Sequence, residues 1–364
     1  MNQMMKLPFY ARVALTLFAI ALIILIMWMG KSILIPLFFA FLISILLHPV
    51  VRFFERRRFP RALASLLTIL IFLVLIAGLF YFFSRQVSRL SRDLPSIQAK
   101  ISDQLQHVQN WIYNKYHINN SQQEAYASKT ANGILNTAVN SAATTFLGIA
   151  ETLILTIFIF VFTFFILFHR HLLMRFLLAL FDDSHNKRVS IIVSKVRVLI
   201  NNYVLGLLME MLILMALIFT TLMIIGIKYA LLLSVMAAIL NIIPYFGIYV
   251  SMALAVLVTM ANGSGGESVA VVLVFLAAHF IDANIILPRI VGGQVKMNPF
   301  ITLLAVLIGH LIWGIPGMFL FVPLTAMIRL VSEEIPEMNA WAILIGEEKF
   351  SGRKRKGKLP PPSA

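Results

Sequence analysis

Long apolar runs alternate with short basic loops along most of the chain. The first run predicts a helix from Arg12 to Met29, the second one from Ile33 to Val51, and the third one from Ala62 to Phe83. A membrane helix needs roughly 20 mostly apolar residues, and each run reaches or approaches that length. The connection Gly30-Lys31-Ser32 is so short that helices one and two are expected to form a hairpin. Pro36 stands near the start of helix two, where a missing backbone donor is tolerated. From residue 84 to 145 the pattern changes, and charged and amide residues become frequent. Ile97, Ile101, Leu105, Val108 and Ile112 recur at helical spacing, which predicts a small helical domain outside the bilayer with a turn near "YHINNSQQ". A fourth helix follows from Phe146 to Phe168 and a fifth from Asn202 to Ile227.

Two later runs are interrupted. The run from Tyr229 to Met260 is divided by Pro244 and Gly247 within "NIIPYFG", residues 241–247. The run from Phe300 to Val331 is divided by "WGIPG", residues 313–317, with Pro323 beyond it. Each piece has about 15 residues, or about 22 Å of helix, short of the roughly 30 Å hydrocarbon layer. Helix seven, from Ser268 to Leu287, is expected to be uninterrupted. A whole helix followed by a broken segment therefore occurs twice. Proline removes a donor and strains the preceding turn. Irregular backbone persists at membrane depth only against protein or a wet cavity. Paired breaks of this kind point to a solute path. Two topologies fit: six full spans with two re-entrant helical hairpins, or eight spans of which two are kinked. Both keep both termini inside. The hairpin version puts Arg289 and Lys296 inside, as the positive-inside rule prefers.

Composition agrees with the membrane reading. Of the 364 residues, 60% are hydrophobic and 12% charged, against about 25% charged in a soluble domain. The formal charge of +15 would suggest nucleic acid in a soluble protein. Here the basic residues cluster in loops such as "RFFERRRFPR" and in the tail "RKRKGK", so topology and the lipid bilayer account for them and no nucleic acid is expected. The first run follows Lys6 and Arg12 like a signal peptide but lacks a small-residue cleavage site, so it reads as an uncleaved helix. Cysteine is missing altogether, which excludes disulfides and thiol chemistry.

Two acids fall inside apolar runs. Glu210 lies in "YVLGLLMEMLILMAL", and Asp282 lies toward the end of helix seven with His279 one turn earlier. An acid near the bilayer centre costs about 2.5–3.5 kcal/mol on insertion scales, so it must face protein or water. Both are candidates to bind a proton or sodium ion and couple it to transport. The structural alternatives are a backbone cap or a subunit contact for Glu210, and an ion pair with Arg289 for Asp282. Asn241 and His310 sit in the arms of the broken segments near their tips. Neither a phosphate-binding loop, a dinucleotide fingerprint nor a nucleophile–base constellation is visible. No enzyme activity, cofactor or metal site is therefore expected.

These motifs carry a resemblance. "NIIPYFG" followed by "IDANIILPRIVGGQVKMNPFITLLAVLIGHLIWGIPGMFLFVPLTAMIRLV" resembles the autoinducer-2 exporter family of bacterial permeases. So do "YVLGLL" from Tyr203, "LMIIGIKYALLLSVMAAI" and the early "LIPLFFAFLISILLHPVV". The resemblance implies an inner-membrane homo-oligomer, a pentamer, with two hairpins lining the substrate path and moving like an elevator. The matching positions are Pro244 and Gly247 in the first tip, Asn284, Pro288 and Arg289 after helix seven, and Gly314, Pro316, Gly317 and Pro323 in the second unit. One position departs: the family often has glutamine after the glycine matching Gly206, and this chain has Leu207.

The expected organisation is membrane helices one to three in residues 1–83, an extracytoplasmic helical domain in 84–145, and a fourth membrane helix with an amphipathic segment in 146–200. A transport unit follows in 201–332 and a basic tail in 333–364. The leading functional reading is export of a small polar solute, with the autoinducer-2 signal suggested by the resemblance. A sodium or lithium/proton antiporter is the alternative within transport. A membrane scaffold that binds a partner through residues 84–145 is the alternative outside it.

Overall fold

The computed structural model describes residues 8–116, 154–242, 247–262, 265–293 and 296–347. Their regular elements are helices, with one isolated bridge between Met297 and Gly346. Among the described residues six helices are long and apolar enough to cross a membrane, and a seventh span results if one bent pair is counted. The protein is an all-α polytopic membrane protein. Its outward faces are apolar, with Ile224 and Leu311 almost fully exposed, as lipid contact requires.

The N-terminal part comprises α1 (Phe9–Met29), α2 (Lys31–Arg56) and α3 (Arg61–Tyr116). Gly30 alone joins α1 to α2. Its N–H donates to the Ile26 carbonyl and its carbonyl accepts from Leu34 N–H, both at 2.8 Å. Helical bonding thus continues across the join. α3 does not stop at Phe83 but continues unbroken to Tyr116. The remainder of the expected extracytoplasmic domain lies outside the described residues.

α4 (Ile154–Phe168) and α5 (Arg170–Ala179) meet at His169 with a 69° bend. α6 (Asp183–Ile225) starts 19 residues before the expected Asn202 and has 43 residues, about 64 Å at the helical rise. It absorbs much of the basic segment ahead of the fifth run and then ends at Gly226, whose φ of +88° suits glycine. α7 (Ala230–Leu240) and α8 (Gly247–Asn262) are the arms of the first broken segment. Pro244 lies outside the described residues. A Cβ at Gly247 would stand 1.8 Å from the Leu240 carbonyl oxygen, so the two arms meet backbone to backbone at the tip.

α9 (Gly265–Ile281) corresponds to helix seven, but it is not uniform. At Asp282 it widens into two π-helical stretches, Asp282–Ile286 and Pro288–Gly292. Pro288 contributes here, since proline cannot donate in a regular helical ladder.

α10 (Pro299–Trp313) and α11 (Ile315–Glu334) form the second broken segment, joined by Gly314 at φ +65°. In a continuous helix, residues eight apart are about 12 Å apart. Here a Cβ on Gly317 would lie 1.9 Å from the Gly309 carbonyl oxygen, and the rings of Trp313 and Phe321 lie 5.3 Å apart. The arms therefore fold back on each other. The second arm has 20 residues instead of about 15 and is long enough to cross by itself, because Pro323 is accommodated inside it. The chain closes with α12 (Asn339–Ile345).

Three apolar cores hold the helices. One joins α2, the first half of α6, α10 and α11 around Ile200, Leu320 and Ala326. A second joins the rest of α6 to α7, α8 and α9 around Leu214, Leu233 and Phe275. A third joins α2, α3 and α4 around Val51, Ala64 and Leu167. Lipid tails are as apolar as leucine, so such cores hold by close packing rather than by escape from water. Trp313 also ties the second tip to α1, its indole N–H donating to the Met27 carbonyl at 2.8 Å.

One end of the molecule gathers the basic groups. Lys195, in the first third of α6, pairs with Glu334 at the end of α11. Arg329 donates to the Lys296 carbonyl, and Asn298 N–H donates to the Ile345 carbonyl at 3.0 Å. Both ends of the second broken segment therefore stand beside the basic start of α6.

Candidate functional site

Glu210 and Asp282 come from different helices and meet at the first tip. Glu210 is on the middle of α6, and Asp282 is the first residue of the π-helical stretch after α9. Both are buried, at 4% and 5% exposure. Asn241, which ends α7, lies between them. Its amide nitrogen donates to Glu210 Oε1 at 3.0 Å and to Asp282 Oδ2 at 3.1 Å. The other two oxygens, Glu210 Oε2 and Asp282 Oδ1, are buried and have no hydrogen-bond partner among the described residues.

Local sequence explains each placement. Gly226 reverses the chain, and α7 then runs back along α6. Glu210 stands 16 residues before Gly226 and Asn241 stands 15 after it. At equal rise along antiparallel helices the two reach the same depth. Asp282 arrives from the other side because α9 packs against the same half of α6. A π-helical turn is rare and concentrated at functional sites; here it begins at the acid itself.

Two carboxylates joined by one neutral donor make a compact anionic pocket. Bare charges this close repel, and little water is at hand to screen them. A proton or a small hard cation between them relieves the repulsion and satisfies the free oxygens. The pairing of Asp282 with Arg289 is not formed. Arg289 is exposed, as are Asn284 and Pro288, and the Asn284 amide donates instead to the Phe280 carbonyl at 2.8 Å.

Gly247 belongs to the pocket's support, since it lets α8 start against the end of α7. Gly314, Pro316 and Gly317 shape the second tip. No hydrogen bond links that tip to the acids; Trp313 beside it packs on Phe38 of α2 at 5.5 Å between ring centroids. His310 is exposed. His279 was paired in sequence with Asp282, and its Nε2 lies 3.4 Å from the Tyr249 hydroxyl of α8. Sequence reasoning overlooked Tyr249. It also placed Asn241 near a tip without joining it to the acids, although the residue count on either side of Gly226 carries that signal. Gly206 also has a structural role: a Cβ there would lie 3.0 Å from the Ile290 carbonyl oxygen, so α6 and the second π-helical stretch touch closely. Among the described residues no group of three or more His, Asp or Glu stands ready for a metal ion.

Comparison with known proteins gives a consistent picture. The model of a family described as AI-2E family transporter matches residues 17–337. YrrI of Bacillus subtilis (strain 168) is 30% identical over 312 residues, covering 83% of this chain and 86% of its own length. YhhT of Escherichia coli (strain K12) is 23% identical over 337 residues, covering 89% of this chain and 91% of its own. Both are named "Putative transport protein". A shorter stretch of 75 residues is 29% identical to a protein of Escherichia coli (strain K12) named "Putative permease PerM", and covers 21% of each chain.

Proposed function

The chain belongs to the AI-2E transporter family, and from that premise we propose that it is a secondary transporter whose coupling ion binds between Glu210 and Asp282. The observation that carries this reading is the Asn241 bridge, with bonds of 3.0 and 3.1 Å to two buried acids that each keep a free oxygen. Ionisable groups at membrane depth are costly and normally mark ion or substrate pathways. Asn241 ends one arm of a broken segment, so binding at the acids is felt directly at the tip. The cargo is a small polar solute moved outward, with the two broken segments as re-entrant hairpins along its path. The family's description makes the autoinducer-2 signal the first cargo to try. The location is the bacterial inner membrane with both termini inside. Support for the hairpins comes from the folded-back arms and from Lys296 standing at the same end as Lys195.

One observation favours a second reading, sodium or lithium/proton antiport. Among the described residues no lysine or arginine is bonded to either acid, so the pocket suits two competing cations without a solute. Purified protein in liposomes, under imposed pH and sodium gradients, separates the two. Glu210→Gln and Asp282→Asn are expected to abolish gradient-driven flux while the melting temperature stays near that of the parent. Flux of the polar solute that depends on the gradient supports the first reading; sodium-for-proton exchange without solute supports the second. If both variants leave every gradient-driven flux unchanged, the coupling role is lost.

A further inference from the structure

The basic end of the molecule contains two joined cavities that the acid pocket does not use. α2, α4, α5 and α6 enclose an apolar slot of about 280 Å³, lined by residues such as Phe41, Ile45, Leu173 and Ile192. Beside it is a vestibule of about 530 Å³. His48, Arg170, Met174 and Arg197 line both, so the two spaces communicate. Arg52 and Arg61 complete a set of four arginines around the vestibule. Glu55 is the single acid in its lining, and Arg170 Nη2 holds both of its oxygens at 2.6 Å. The other terminal nitrogen of Arg170 is buried and has no partner among the described residues.

Positive charge that only fixes orientation needs no cavity. Here four guanidinium groups surround a space that opens onto a greasy slot. Guanidinium forks match phosphate oxygens, and basic pockets between membrane helices suit anionic head groups. Beyond the residues it shares with the vestibule the slot is lined almost wholly by apolar side chains, so it accepts hydrocarbon, and a free phosphate or a soluble nucleotide would leave it unfilled. We propose that this is a binding site for an anionic phospholipid, its phosphate among Arg52, Arg61, Arg170 and Arg197 and one acyl chain in the slot.

The full-length protein, purified in a neutral detergent, is given dioleoyl phosphatidylglycerol, dioleoyl phosphatidylcholine or inorganic phosphate, and retained adducts are counted by native mass spectrometry. One phosphatidylglycerol per chain is expected to be retained in preference to phosphatidylcholine, with inorganic phosphate unable to displace it. Arg52→Gln and Arg197→Gln are each expected to weaken retention about fivefold, the factor that ~1 kcal/mol per basic group implies. Leu173→Trp, at the exposed rim of the slot, is expected to weaken it as well. A melting curve for each variant establishes that it is folded. Equal retention of both lipids, or unchanged retention in the arginine variants, overturns the proposal. So does loss in the arginine variants with none in Leu173→Trp, because the slot then holds no chain. Displacement by inorganic phosphate would make the vestibule a plain phosphate site and overturns it too.

Discussion

Asn241 is the residue on which the acid pocket depends. It supplies one amide to two carboxylates, and among the described residues no other side chain bonds to either of them. Asn241→Ala leaves two buried acceptors without their donor, which costs about 1–3 kcal/mol for a group left unsatisfied. A lowered melting temperature and lost ion-coupled flux are the expected results. Asn241→Asp is expected to be worse than alanine in both assays, since it sets a third carboxylate against two. The acids themselves were legible in the sequence, because a charged residue inside an apolar run stands out from its neighbours. Their partner was not. Asparagine is unremarkable near a break, and its role emerges only when α7 is laid against α6 at the depth of Glu210. The π-helical turn at Asp282 was marked in the residue pattern only by Pro288, which does not tell where the helix widens, so the sequence offered Arg289 as partner when the fold turns it outward.

At the scale of elements, the glycines of the second broken segment make the sharpest test. Gly309 and Gly317 let α10 and α11 touch through their backbones. Gly317→Ala must push the arms apart, because its Cβ would lie 1.9 Å from a carbonyl oxygen. Such overpacking costs about 1–3 kcal/mol, and a thermal melt in detergent should show it. Gly78→Ala on α3 is the matched control. Nothing lies within 4 Å of its Cβ, so it should be neutral or stabilise by up to about 1 kcal/mol. The breaks at residues 241–247 and 313–317 were legible because proline and glycine interrupt apolar runs that otherwise continue. The true lengths of α3 and α6 were not. Their extensions, 84–116 and 183–201, are polar enough to read as separate segments, and hydropathy carries no record of whether a helix continues into water.

For the whole molecule, the question is which end faces which side. Lys195, Lys296, Arg329 and the vestibule arginines stand at one end, and the turn at Gly226 stands about 46 Å of helix away from Lys195, 31 residues at a rise of about 1.5 Å each. With re-entrant hairpins, a cysteine at Gly292 and one at Arg58 should be labelled by an impermeant thiol reagent from the same face. Labelling from opposite faces would require eight spans instead. The chain has no cysteine of its own, so each engineered thiol reports alone. The class of fold, the number of long apolar helices and the membrane setting were readable from hydropathy and charge. Which helices share a core was not, since side chains facing lipid and side chains facing protein are equally apolar. The single-glycine join at Gly314 has a mechanical consequence. With one residue of slack and carbonyls seated against the opposite arm, prising the pair open like scissors would strip the Trp313–Phe321 contact and the backbone seam together. Movement that keeps both intact must carry the two rods as a single piece, so a cross-link between them should leave such a stroke unimpeded.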